Sequence, residues 1–166
     1  MSHVATVDVK IRDLAALDRA CQRLGLELRR NQTTYKWWGN TGPRADLNVD
    51  QLTAEIRQFD KKFQRPDFLS AEDWRAGTCC HAIGLPGSEH CLEIGVTRSA
   101  DGQGFALLGD LTMLAPDFSK KVGGAGCGKL AQAYSLEVSK RTMQLKGFRV
   151  QERVVIGGQI QLVCQK

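Results

Sequence analysis

The stretch 79–111, CCHAIGLPGSEHCLEIGVTRSADGQGFALLGDL, contains three apolar runs separated by two turn sequences. The runs cover about 79–85, 91–97 and 104–111, and each has the length of a β-strand. Pro86-Gly87-Ser88 and Ala100-Asp101-Gly102 are built from residues that favour tight turns. Because short turns join antiparallel neighbours, this stretch predicts three consecutive strands of one sheet.

The flanking segments predict further strands and helices. Alternating apolar residues indicate a first strand at 5–11, and a helix capped by Asp13 follows and ends at Gly25. Leu26 and Leu28 begin a second strand, whose extension through 33–38 the sequence permits. Helical spacing of apolar residues predicts a second helix over 52–63, and 65–77 reads as loop. A long helix over 129–146 is followed by a hairpin that turns at Gly157-Gly158.

This order of elements predicts the fold class. We expect an α+β fold with an antiparallel or mixed sheet of about six to seven strands, covered on one face. Two main helices cover it, and one helix lies in a central insertion. The 166 residues have the length of a single domain, 1–166. No apolar h-region opens the chain and no run reaches the ~18 apolar residues of a membrane span, so we expect a cytoplasmic protein with reduced thiols.

Positive charge is concentrated in the last third of the chain. The whole protein has 23 basic and 18 acidic residues, a net charge of +5. Residues 112–166 hold nine of the basic and three of the acidic side chains. A second excess covers 29–44, with four basic residues and no acidic one. Such clusters favour a polyanionic partner, because bound phosphates release counterions.

Several segments together resemble a known family. They are the opening Met1-Ser2-His3, the block 80–87, Glu93-Ile-Gly-Val96, Asp101-Gly102 with 105–108, Lys129-Leu-Ala-Gln-Ala-Tyr134, and Lys146-Gly-Phe-Arg-Val150 with the final hairpin. In order and spacing they resemble the uncharacterised chloroplast and cyanobacterial reading-frame family, a domain of unknown function with bacterial and phage relatives. The resemblance implies no activity and no catalytic residues. It does imply genes that often lie near AAA-type ATPases.

The first candidate site is the aromatic and basic segment 29–44. Cations that follow phosphates, together with rings that stack on bases, are typical of proteins that bind single-stranded nucleic acid. Neighbouring residues on a strand point to opposite faces, so at most one of Trp37 and Trp38 would be core. The candidate nucleic-acid-binding residues here are Arg29, Arg30, Tyr35, Lys36, Trp37, Trp38 and Arg44.

The second candidate is the glycine-rich loop 123–128. With Lys129 it matches the phosphate-loop pattern G-x4-G-K, but Leu130 stands where Ser or Thr would hold magnesium. We therefore expect no nucleotide hydrolysis. The loop could still offer backbone N–H groups to one phosphate, and Lys120, Lys121 and Lys129 would extend the binding surface. Arg141 and Lys146 would contribute if the last helix faces the same side.

The third candidate is a group of thiols and imidazoles. Cys79, Cys80, His81, His90 and Cys91 lie at the ends of a predicted hairpin, but without the C-x2-C spacing of a zinc knuckle. No nucleophile, base and orienting residue stand in a recognisable order either. We therefore expect no metal, no cofactor and no enzymatic activity.

Two functions remain open from the sequence. The first is a nucleic-acid-binding accessory protein that binds single-stranded DNA with weak sequence preference. The second is an adapter for an ATPase or polymerase, which would dock through the helix 52–63 and the Trp pair, because Trp is enriched at interface hot spots. The expected partners are single-stranded nucleic acid, a polymerase or an AAA-type ATPase, and further copies in a homo-oligomer, with no membrane.

Overall fold

The structure is a computed structural model that describes residues 4–59, 61, 64–156 and 160–166. In these residues seven strands and five helices follow in the order β1 (Val4–Ile11), α1 (Leu14–Arg23), β2 (Glu27–Arg30), α2 (Val49–Phe59), α3 (Ala71–Ala76), β3 (His81–Gly84), β4 (Ile94–Arg98), β5 (Phe105–Asp110), α4 (Pro116–Val122), α5 (Gly128–Leu145), β6 (Arg149–Val154) and β7 (Ile160–Gln165). Two 3-10 turns, Trp38–Asn40 and Gly42–Arg44, lie between β2 and α2. None of the helices found there is long and apolar enough to cross a bilayer.

Five strands form one antiparallel sheet in the order β1-β5-β4-β3-β2. The three strands predicted from 79–111 are its centre, where Val96 of β4 lies between His81 of β3 and Leu107 of β5. β1 pairs with β5 and β2 pairs with β3 at the two edges. The predicted α+β class is therefore confirmed.

The last two strands do not join this sheet, so the predicted six to seven strands divide into five and two. β6 and β7 form a separate hairpin, in unbroken register from Arg149↔Gln165 to Val154↔Ile160. The hairpin lies over the helices and away from the sheet edges, because Glu152 of β6 binds side chains on α1 and α5. The predicted turn Gly157-Gly158 lies outside the described residues.

One face of the sheet is covered by α1, α4 and α5. Asp13 begins α1, because its Oδ1 accepts the N–H groups of Ala15 and Ala16 at 3.0 Å. Arg141 of α5 binds the same carboxylate at 2.6 Å, so the cap also joins two helices. The buried cluster on this face includes Leu17, Ile83, Val96, Leu107, Phe118 and Leu130.

The opposite face is covered too, which corrects the prediction of a sheet covered on one side. The insertion between β2 and β3 lays two helices and three large aromatic side chains on it. The rings of Trp37 and Trp74 pack with their centroids 5.0 Å apart. The second buried cluster consists of Tyr35, Trp37, Leu52, Ile56, Trp74, Cys79, Ala82 and Leu108.

A glycine in the sheet makes room for this second layer. A Cβ atom at Gly95 of β4 would lie 2.4 Å from Cδ1 of Tyr35, so any larger residue would collide with the ring. The tyrosine therefore packs directly on the backbone of β4. The missing side chain at Gly95 thus determines where Tyr35, 60 positions earlier in the chain, can pack.

Local predictions in the insertion were partly wrong. The second strand ends at Arg30, because Asn31 adopts a left-handed conformation (φ 60°) and its N–H bonds Nδ1 of His81. The extension through 33–38 is therefore no strand, apart from one bridge between Thr34 and Thr78.

The predicted loop 65–77 contains α3, which Ser70 caps by accepting the N–H of Asp73. The predicted helix 52–63 is α2, and positions 60, 62 and 63 lie outside the described residues.

Candidate nucleic-acid interface

Two of the three predicted stacking rings are inaccessible. Tyr35 is 1% exposed and Trp37 is 0% exposed, because both lie between the sheet and the helices of the insertion. Neither ring can stack on a base, so both predicted roles are corrected. Trp38 is only partly buried, and the guanidinium of Arg44 lies 5.1 Å from its ring centroid. The sequence expectation that at most one of the two tryptophans is core therefore agrees with the structure.

The predicted cations of the same segment are bound to protein groups. Arg29 binds Glu27 and the buried Glu93. Arg30 binds Asp18 of α1 at 3.0 Å, and Arg44 binds Glu55 of α2 at 3.0 Å. A phosphate would have to compete with these carboxylates. Lys36 is also engaged, since its Nζ donates to the carbonyl of Glu89.

The second group of predicted cations lies on the side of the sheet opposite to Trp38 and Arg44. Lys120 and Lys121 lie in the last turn of α4 and Lys129 lies in the first turn of α5, and these helices belong to the layer that α1 also forms. Lys121 binds Asp117 and the carbonyl of Gly25, and Nζ of Lys129 donates to the carbonyl of Lys120. Trp38 and Arg44 belong to the opposite layer. The sheet separates these two residues from the lysines, whereas Arg30 lies on the lysine side and binds Asp18 of α1 there. The predicted single surface that includes the whole segment 29–44 is therefore not formed.

The glycine-rich loop closes on itself. The N–H groups of Gly123 and Gly124 both donate to the carbonyl of Ser119, and that of Cys127 donates to Gly124. These groups are therefore already used at the entry to α5. Gly123 and Gly124 have φ angles of 90° and 78°, which explains why glycine is needed there. The loop works as a tight connection between two helices.

The thiols and imidazoles at the predicted hairpin do not converge. In the part of the chain that the structure describes, no three His, Cys, Asp or Glu side chains are grouped to hold a metal ion. Sγ of Cys79 donates to the carbonyl of Gln32, and Cys91 accepts from Ser88. Burial raises the pKa of Cys79 to about 12, which keeps this thiol protonated at neutral pH.

The docking face considered for an adapter is used inside the molecule. Leu52 and Ile56 of α2 are 0% and 1% exposed and pack with Trp37 in the second cluster. The apolar side of this helix is therefore part of the core. Phe59, at the end of α2, is a described apolar residue of this helix that remains exposed, at 57%.

The β6–β7 hairpin presents a different basic surface. Cross-strand partners share a face and successive residues alternate between faces, so the register divides the hairpin into two sides. The inner face is largely apolar and consists of Val150, Glu152, Val154, Ile160, Leu162 and Cys164. The outer face is polar apart from one valine and consists of Arg149, Gln151, Arg153, Gln161, Val163 and Gln165.

Ion pairs orient the hairpin with its inner face towards the helices. Glu152 binds Arg23 of α1 at 2.6 Å and Lys140 of α5 at 2.6 Å. Both cations also bind the buried Glu137 of α5. The outer face consequently points to solvent, and all five of its polar side chains are exposed.

The cations of the outer face are not neutralised. Among the described residues, neither Arg149 nor Arg153 forms an ion pair, and the same holds for Lys146 and Lys166 at the ends of the hairpin. The one acidic residue of β6, Glu152, is on the inner face and is already bound. The outer face therefore carries uncompensated positive charge beside three glutamines.

The anchoring of the hairpin should be sensitive to acid. Hydrogen bonds from Arg23 and Lys140 hold the pKa of Glu152 below its usual value of 4.5. A lowered pKa in the folded state means that this stabilisation is present above pH 4.5 and is lost as the pH falls through the folded-state pKa. We expect hairpin docking to weaken by about 1 kcal/mol over that range. Amide chemical shifts of β6, followed by NMR during an acid titration, measure this change.

Two variants separate this effect from general acid denaturation. Glu152→Gln should have a loosened hairpin at neutral pH and no further acid transition in β6. Glu55→Gln removes a carboxylate bound to Arg44, far from the hairpin, and should retain the transition. An unchanged transition in Glu152→Gln would show that another group anchors the hairpin.

Comparison with protein-family models, with curated proteins and with solved structures found no match to this chain. The resemblance to the chloroplast and cyanobacterial family therefore stays a prediction.

Sequence reasoning missed the outer face of the hairpin, although its signal was present. The hairpin itself was predicted, and polar residues at 149, 151 and 153 alternate with apolar or acidic ones. With the register known, this alternation separates Arg149 and Arg153 from Glu152. The orientation of each face relative to the molecule required the contacts with α1 and α5.

Proposed function

We propose that this protein is a non-enzymatic nucleic-acid-binding accessory protein that binds through the outer face of the β6–β7 hairpin. The observation that carries the proposal is the pair of exposed, unneutralised arginines, Arg149 and Arg153, among three glutamines on one side of a two-stranded ribbon. Cations supply affinity for phosphates through counterion release. Arg and Gln are also the side chains that pair with guanine and adenine edges.

The shape of this surface favours double-stranded DNA. The major groove is about 12 Å wide and admits a two-stranded β-ribbon. The single-stranded binding expected from the sequence depended on stacking rings, and Tyr35 and Trp37 are both buried. A ribbon that carries Arg and Gln but no aromatic residue suits a groove better than an unpaired strand.

The test is fluorescence anisotropy with a labelled duplex and its separate single strands, starting at about 50 mM salt. Wild-type protein should bind the duplex more tightly than either strand. The double variant Arg149→Gln/Arg153→Gln should bind at least about tenfold more weakly. Its plot of log affinity against log salt should be shallower by about 1.8, because each lost phosphate contact removes about 0.9.

A charge-matched control distinguishes a site from net charge. Arg57→Gln/Arg65→Gln removes two exposed cations of the insertion and lowers the net charge equally. This control should bind as the wild type does. Equal weakening by both double variants, or no binding at about 50 mM salt, would contradict the proposed site. Tighter binding of the single strands would support the function but exclude groove binding.

A further inference from the structure

β7 is an exposed edge strand without the usual protection. It runs over Ile160–Gln165 with the sequence IQLVCQ, which contains no charged residue, proline or glycine. One side of it pairs with β6 in continuous register without a bulge, and in the described residues its other side has no strand partner. Natural proteins protect such edges with charge, proline or bulges, because unpaired N–H and C=O groups invite another strand.

The opposite edge of the same hairpin is protected. β6 carries Arg149, Glu152 and Arg153, so pairing two copies of β6 would bring arginines together. Two copies of β7 meet no such repulsion. The distribution of charge therefore selects β7 as the strand that can pair with itself.

The apolar side chains support the same pairing. At the tip of the hairpin, Val154 is 77% exposed and Ile160 is 37% exposed, because the hairpin extends beyond the helices that hold Glu152. Antiparallel pairing places residues of the same face opposite each other. Ile160, Leu162 and Cys164 of one copy would then lie beside those of the second copy. Their inner faces would form one larger apolar surface.

We propose that two copies of this chain associate by antiparallel pairing of β7 with β7, which produces a four-stranded sheet across a two-fold axis. In this dimer the outer faces of both hairpins lie on the same side. Arg149 and Arg153 of each copy then sit on the outer strands, about 14 Å from those of the other copy, since three strand spacings separate them. The inference concerns self-association alone. A sheet with outer strands about 14 Å apart is too wide for the major groove of about 12 Å that admits one hairpin, so the dimer would compete with the proposed groove binding.

The test uses a pair of register partners on the two strands. Val163 of β7 and Gln151 of β6 lie opposite each other on the outer face, so Val163→Lys and Gln151→Lys add the same charge at the same height. Sedimentation of nuclease-treated protein over a concentration series should show a dimer for the wild type and for Gln151→Lys. Val163→Lys should be monomeric. Gln161→Lys should also be monomeric. Because it removes no apolar group from β7, its result shows whether a monomeric Val163→Lys reflects the added charge or a folding defect.

Hydrogen exchange locates the contact. In the wild type, amides of β7 should exchange several-fold more slowly at concentrations where the dimer forms, while β6 amides change little. A wild type that stays monomeric at about 100 μM would overturn the inference. So would a dimer that survives both β7 variants, or one that Gln151→Lys disrupts equally.

Discussion

Replacing Trp37 with alanine should lower the free energy of unfolding by about 3–5 kcal/mol. The side chain is 0% exposed and packs on Trp74 with 5.0 Å between ring centroids. Gly39 closes the site so tightly that a Cβ there would lie 2.2 Å from the Trp37 ring. A cavity of this size cannot collapse without moving the insertion away from the sheet. The melting temperature should fall by roughly 6–20 °C, as measured by thermal unfolding.

The neighbouring tryptophan is the matched control. Trp38 is partly buried at the edge of the same cluster, beneath Arg44, so Trp38→Ala should cost only about 1 kcal/mol. The pair of variants decides between a core role and a binding role for Trp37. A Trp37→Ala protein of normal stability that had lost nucleic-acid binding would restore the sequence-based prediction of an exposed stacking residue.

Glu93→Gln should be the second strongly destabilising change, at about 3 kcal/mol. Glu93 is 2% exposed, and its carboxylate binds Arg29, Nε2 of Gln32 at 2.8 Å and the backbone N–H of Lys36 at 2.8 Å. It thereby ties β2 and the beginning of the insertion to the sheet. Glutamine has nearly the same shape but presents an NH₂ group where an acceptor is needed. Some donors lose their partner, and Arg29, itself 21% exposed, loses its buried counter-charge.

A second glutamate that binds Arg29 provides a matched control for this change. Glu27 binds the same guanidinium at 3.2 Å, but its side chain is 50% exposed. Glu27→Gln should therefore change the free energy of unfolding by less than about 1 kcal/mol. Urea unfolding of both variants measures the comparison. Similar losses from the two changes would mean that the network around Glu93 contributes little beyond an ordinary surface ion pair.

The elements that sequence patterns predicted well are those defined by neighbours along the chain. The strands of 79–111, the helix capped by Asp13 and the final hairpin all follow from local spacing and turn residues. The helix α4 was missed, because seven residues with two buried side chains show too little periodicity. The end of β2 was also missed, since it depends on the bond between Asn31 and His81, which is 50 residues distant.

The candidate site could be predicted only in part, because exposure and charge pairing are long-range properties. An aromatic and basic segment has the same composition whether it binds bases or covers a sheet. Trp37 is buried because Leu52, Ile56 and Trp74 pack over it. Tyr35 joins the same cluster because Gly95 leaves room for its ring on the sheet. Arg29 is not free to bind a phosphate as predicted, because its guanidinium binds the carboxylate of Glu93, 64 residues away.

Local pattern and charge were enough to establish an α+β chain with an excess of positive charge towards its end. Which of those charges stay free depended on contacts between distant segments. In the segment 29–44, Glu93, Asp18 and Glu55 compensate the arginines. In the hairpin, Glu152 turns inward to α1 and α5 and leaves Arg149 and Arg153 on the outside. The physical reason is that an ion pair needs two groups brought together in space, and chain order alone does not specify which groups meet.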